Sequence, residues 1–132
     1  MDDTNGNLPT ILRGITDAIQ MCHGASKTAG WWTNLATGES TVGTRNKGEL
    51  LMLIVSEVAE AMEGERKNRM DDHLPHRKMV EVELADAIIR IFDYAGAFNL
   101  DLAGAMLEKL AYNASRADHK IESRLLDDGK KF

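Results

Sequence analysis

Two segments of this chain are apolar on almost every side and still carry carboxylates, and that combination restricts its fold more than any other feature. In residues 50–62 the only polar side chains are Ser56, Glu57 and Glu60; in residues 82–92 they are Glu83, Asp86 and Arg90. Apolar residues at helical spacing dominate from Asn46 onward, which argues for helices over alternating strands. A helix apolar nearly all round is packed on most of its faces, so Glu57, Glu60, Glu83 and Asp86 are expected to be at least partly buried. Within each pair the spacing is i, i+3, one turn apart on one face.

An isolated buried carboxylate is costly by several kcal/mol. Four that converge cannot all stay ionised without counter-charge, and Arg90 supplies one positive charge against four negative ones. Either some acids are protonated or cations fill the site. Oxygen donors without Cys, and without His at ligand spacing, point to Mg²⁺ or Mn²⁺ rather than zinc. A di-iron bundle uses a Glu-x-x-His pair on each of two helices, and the chain contains no Glu-x-x-His. A single Glu-x-x-Glu is ordinary on a solvated face; two acidic pairs, each inside an apolar helix, favour a metal site.

The 132 residues, 43% apolar, suit one domain with a real core, since a chain of roughly 150 residues buries about 70% of its unfolded surface. The spacing predicts helices over residues 9–22, 46–67, 75–98 and 102–116. The first carries the stripe Ile11, Leu12, Ile15, Ile19 and Cys22, Asp101 is placed to cap the fourth, and Gly96 or Asn99 marks the break before it. Residues 24–48, rich in Gly and containing Trp31 and Trp32, form a loop of unusual length between helices 1 and 2, with a weakly signalled hairpin around Gly38. The expectation is an all-α bundle of four to five helices over residues 1–120. A charged tail over residues 121–132 follows, read as a frayed helix with a flexible or partner-docked end. The bundle is expected to be oligomeric, because two largely apolar helices are hard to cover with two others in so short a chain.

Several classes are excluded. The longest apolar run has six residues, at 50–55, against about 20 for a membrane span. The first residues lack the basic patch and apolar stretch of a secretory signal. Cys22 is the only cysteine, so no internal disulfide forms and a cytoplasmic location is expected. With 16 basic and 21 acidic side chains, a net charge of −5 argues against a nucleic acid polymer as partner.

Other residues admit two readings each. Lys109, Asn113, Arg116 and Lys120 form a stripe at helical spacing edged by Tyr112, either a solvated salt-bridging face or a match for polyphosphate oxygens. Trp31 and Trp32 either stack on a nucleobase, a contact worth about 1–3 kcal/mol, or anchor their loop on the core. His23 donates to a base or is structural. Asn46 and Lys47 meet phosphate or base, or cap the second helix. Residues 69–76 close over a substrate or form a solvated connection. Cys22 packs as a small apolar residue.

Glu57-x-x-Glu60, a spacer, Glu83-x-x-Asp86 and then Lys109-x-x-x-Asn113-x-x-Arg116 resemble the MazG-like branch of the all-α nucleoside triphosphate pyrophosphohydrolases. The resemblance covers about residues 31–120. It implies a helical homodimer or homotetramer in which Glu57, Glu60, Glu83 and Asp86 bind Mg²⁺ and serve catalysis, while Lys109 and Asn113 contact phosphates; Arg116 is added by helical spacing. It further implies hydrolysis of a (deoxy)nucleoside triphosphate to the monophosphate and pyrophosphate, as in house-cleaning of the nucleotide pool. The chain has one such unit, unlike the two-domain members, and lacks the histidine-rich context of some relatives. Alternatives are a deoxyuridine-triphosphate or phosphoribosyl-ATP pyrophosphohydrolase of the same fold, or a non-catalytic helical oligomerisation module whose acids pair across subunits.

Overall fold

The computed structural model describes residues 4–132, with side chains from Asn7 onward. The described chain is helical: α1 (Thr4–Thr28), α2 (Lys47–Arg66), α3 (Met79–Ala97) and α4 (Leu102–Ser115), then a 3₁₀ turn at Ala117–His119 and the one-turn α5 (Ile121–Arg124). Strands are absent among the described residues, where only isolated bridges join Thr33 to Ser40 and Met70 to Lys78. Two compact units emerge: residues 13–100, and the described part of residues 1–12 with residues 101–132. The division falls inside α1.

The helices of the larger unit stop by one repeated device. At the end of α1 the Trp31 amide donates to the Ser26 carbonyl and the Gly30 amide to that of Lys27. This paired closure needs a left-handed residue at its centre, and Gly30 supplies it at φ +86°. Asn68 (φ 47°) and Asn99 (φ 51°) do the same for α2 and α3, with Arg69 bonded back to Gly64 and Leu100 to Ala95. Asparagine is among the few non-glycine residues that tolerate this region, so Asn99 is the break between α3 and α4. The starts are capped as locally: the side chains of Asn46 and Asp101 accept from the amides of Glu49 and Gly104.

Helix boundaries differ from expectation in two places. Helix α1 runs past Cys22 to Thr28 because His23 and Ser26 are both hydrogen-bonded to Asp93 of α3, so tertiary contacts hold turns that periodicity alone left open. It also begins before Pro9, which lies inside it. Conversely α3 starts at Met79 instead of near Pro75. The Asp71 carboxylate accepts from the amides of His73 and Leu74 at 2.9 and 2.7 Å. Further backbone bonds, from Asp71 to Arg77 and from Met79 to Arg69, close residues 69–79 into a turn.

Helices α2 and α3 pair antiparallel, since Gly64 lies against Met79 while Glu57, two turns earlier, reaches Arg90. Small residues permit this close approach: Ala61, Ala87 and Ala95 are all buried. A Cβ on Gly96 would stand 2.6 Å from His23 Cβ, so α1 and α3 touch backbone to side chain there. The outer faces stay uncovered. Leu51, Val55, Val58 and Met62 of α2, spaced i, i+4, i+7, i+11, and Leu84, Ile88 and Ile89 of α3 are each close to half exposed or more. Packing on most faces, expected from the sequence, is not provided within the larger unit.

In the smaller unit Ala103 is buried, and the Arg116 guanidinium donates to both carboxylate oxygens of Asp118 at 3.0 and 2.6 Å. Arg124 and Lys131 exchange hydrogen bonds with carbonyls across residues 124–131.

Two glycines should respond in opposite directions. Gly96→Ala should destabilise by about 1–3 kcal/mol, as overpacking does. Gly14→Ala, in α1 with nothing within 4 Å of a new Cβ, should stabilise by up to about 1 kcal/mol. Urea unfolding of the two variants checks both signs.

Candidate functional site

The antiparallel pairing of α2 and α3 turns two acidic faces toward each other. Carboxylate oxygens of Glu57, Glu60 and Glu83 come within 4.8 Å of one another. Glu57 is buried at 8% exposure, Glu83 and Asp86 are intermediate, and Glu60 is exposed. The last point corrects the expectation of burial for all four acids: no element of the larger unit covers that side of α2. Asp86 stands outside the mutual set of three but within electrostatic reach of Glu57.

Repulsion is visible in the protonation. Glu83 is pushed up to about 7 by burial and then by Glu60, which also hydrogen-bonds it, with Glu57 and Asp86 adding to the shift. Asp86 is raised by burial and by Glu57, with Arg90 pulling the other way. Arg90 supplies the local cation: its Nε donates to Glu57 Oε1 at 2.6 Å. Asp71, buried at 6% exposure, also raises Asp86. From the sequence Asp71 was only part of a connection that either closes over a substrate or is solvated; the signal for its burial was an Asp two residues before His73 and three before Leu74, the spacing of an Asx turn.

Hard carboxylate donors at this spacing have the chemistry that Mg²⁺ or Mn²⁺ prefers. Three such oxygens within 4.8 Å of one another are a donor set that could hold a divalent ion.

Beside the acids lies a second polar centre that sequence reasoning missed. Asp93 Oδ1 accepts from His23 Nδ1 and from Trp32 Nε1, and Oδ2 from Ser26 Oγ, each at 2.8 Å. One carboxylate thereby ties α1, the loop and α3. Trp32 is buried at 3% exposure, edge-on to His23 and Phe98, with Arg45 5.0 Å from its ring centroid. Its sequence signal was a Trp whose indole N–H must find a partner when buried.

The residues nominated for base contact therefore divide. Trp32 anchors the loop, His23 is bonded to Asp93, and Asn46 caps α2 through Glu49. Trp31 is 70% exposed and lines a cavity of about 430 Å³ together with Met21, Ala25, Ile89, Arg90 and Asp93. That cavity shares Arg90 with the acids.

Lys109, Asn113 and Arg116 belong to the smaller unit. Lys109 Nζ lies 4.7 Å from the Tyr112 ring centroid, and Arg116 is committed to Asp118, whose carboxyl it holds below the ordinary range. Asn113 Oδ1 is buried without a hydrogen-bond partner, and Asn113 lines an open cavity with His119, Lys120 and Glu122.

No protein-family model, curated protein or solved structure matches the chain.

Protonation of Glu83 sets a pH dependence. Its native pKa lies above the unfolded value, so the native state binds more protons and its stability falls as pH rises. The metal-free protein should lose stability between about pH 4.5 and 7 through this group. Glu83→Gln should flatten that decline, as read by Tm at pH 5 and pH 8.

Proposed function

We propose that this protein is a Mg²⁺-dependent nucleoside triphosphate pyrophosphohydrolase of MazG-like type, converting a (deoxy)nucleoside triphosphate to the monophosphate and pyrophosphate. The observation that carries the reading is the convergence of Glu57, Glu60 and Glu83 from two facing helices, with Asp86 one turn along. Its support is chemical: burial, with the repulsion of the neighbouring acids added, pushes Glu83 up to about 7, and a divalent ion would relieve that repulsion.

A bound Mg²⁺ would neutralise polyphosphate charge and lower the pKa of a coordinated water. The chain's own residues supply the remainder. Glu57, buried and paired with Arg90, fixes one side of the site. Glu60 is exposed and shares a hydrogen bond with Glu83, so this pair stands where a substrate phosphate and its attacking water arrive from solvent. One of these carboxylates would orient that water or take its proton, and phosphoryl chemistry needs positioning and charge stabilisation without a Ser or Cys nucleophile. Trp31 offers a free aromatic face to a nucleobase, while Trp32 and His23 hold the loop that presents it. Lys109 and Asn113 are the proposed phosphate contacts; Arg116, held by Asp118, would have to exchange that partner.

The protein is proposed to act as a homodimer or homotetramer. The exposed apolar stripe Leu51, Val55, Val58 and Met62 supports this, since a contiguous apolar face of this kind is normally covered by a partner. No helix among the described residues is long and apolar enough to cross a membrane; a cytoplasmic site of action is part of the proposal.

A panel of canonical and noncanonical nucleoside triphosphates with Mg²⁺ or Mn²⁺, following pyrophosphate separately from orthophosphate, tests the activity. Glu57→Ala and Asp86→Ala should each reduce turnover by at least about 100-fold, given the several kcal/mol that metal-site charge stabilisation supplies, while circular dichroism stays helical. Undiminished turnover in both variants rejects the assignment. A non-catalytic module would bind neither Mg²⁺ nor a nonhydrolysable nucleotide by calorimetry.

A further inference from the structure

Arg90 faces two sites at once. Its Nε donates to Glu57 Oε1 at 2.6 Å, and the same residue lines the cavity that holds the exposed face of Trp31. A guanidinium carries five N–H donors, and the Arg90 side chain makes no other hydrogen bond among the described residues. The ends of the bond are unequal: the Glu57 side chain is 11% exposed and that of Arg90 42%. Glu57 is fixed, and Arg90 is the partner with room to move. One turn along α3, Asp93 has already engaged His23, Ser26 and Trp32, and it forms no ion pair with Arg90 among the described residues.

The geometry points to Arg90 as an exchangeable counter-ion: it neutralises Glu57 while no metal is bound, and release by a divalent ion turns its guanidinium into the Trp31 cavity, toward a planar heterocycle bearing acceptor atoms. This rests on the acids being the metal site. A dication held by the Glu57 carboxylate would stand within a few ångströms of the guanidinium bonded to that same carboxylate, and the two cations repel. The displaced guanidinium stays beside Trp31, where an aromatic ligand gives it a second favourable environment, flat face to flat face with donors to spare. Metal occupancy of the acids and ligand occupancy of the cavity then favour each other, as reciprocal coupling requires.

The test combines two variants and one resonance. Arg90→Met keeps the length of the side chain and removes its charge. It should bind Mn²⁺ alone about three- to tenfold more tightly than wild type by calorimetry, since an ion pair of ordinary strength no longer competes, and bind a nonhydrolysable nucleoside triphosphate more weakly. In the wild-type protein the Arg90 Nε–H resonance, assigned by its loss in Arg90→Lys, should shift and exchange faster with solvent on saturation with Mg²⁺ alone. That measurement needs no folded Arg90→Met. A resonance unmoved by saturating Mg²⁺, or a folded Arg90→Met with unchanged or weaker Mn²⁺ affinity, overturns the exchange and leaves the metal site intact. Wild-type protein that binds neither ion overturns the metal reading itself, and the exchange falls with it.

Discussion

The repulsion between carboxylates carried on α2 and α3 is the constraint around which the larger unit is arranged. Small residues at Ala61, Gly64 and Ala87 draw the two helices close, and that closeness forces Glu57, Glu60 and Glu83 within 4.8 Å of one another. Hydrophobic packing and electrostatics thus oppose each other along one seam. In the absence of a bound cation the opposition is relieved twice, by the Arg90 guanidinium on Glu57 and by the readier protonation of Glu83, pushed up to about 7. Neither device would be needed if the acids faced bulk solvent, where charges a few ångströms apart interact by about 1 kcal/mol.

A second arrangement holds the first in place. Asp93 gathers donors from α1 and from the loop, so the position of α3 relative to both is set by hydrogen bonds to a charged acceptor, stronger than neutral ones. Replacing that carboxylate would leave the buried indole N–H of Trp32 without its acceptor, a loss of the kind that costs about 1–3 kcal/mol. Arg90 and Asp93 lie one turn apart on α3, so the residue that holds the loop and the residue that pairs with Glu57 are carried by the same helix face.

The helical class, the bounds of α2 and α4 and the Asp101 cap were legible in the sequence, because each depends on local periodicity or capping chemistry; the break after α3 was narrowed to Gly96 or Asn99, and the left-handed backbone of Asn99 decides between them. The convergence of two acidic faces was legible too, since i, i+3 pairs on apolar helices leave few other ways to fold. The last two turns of α1 and the late start of α3 were not. Both depend on Asp residues, Asp93 and Asp71, whose partners are set by tertiary structure or by a turn that competes with helix. The division of labour between Trp31 and Trp32 was hidden for the same reason: adjacent residues of one type are separated only by which indole reaches a partner.

Exposure of Glu60 and of the Leu51, Val55, Val58 and Met62 stripe has one physical root. Helix α2 carries more apolar surface than α3 and the loop can cover, so part of it faces outward together with the acid on its flank. Covering that face with a second copy would remove apolar area from water at about 25 cal/mol per Å² and would lower the dielectric around Glu60. A drier site strengthens every charge interaction within it, the repulsion among the acids as much as their attraction for a cation. Association and cation binding would therefore reinforce each other: the assembly that hides the apolar stripe is also the one in which uncompensated carboxylates are least tolerable.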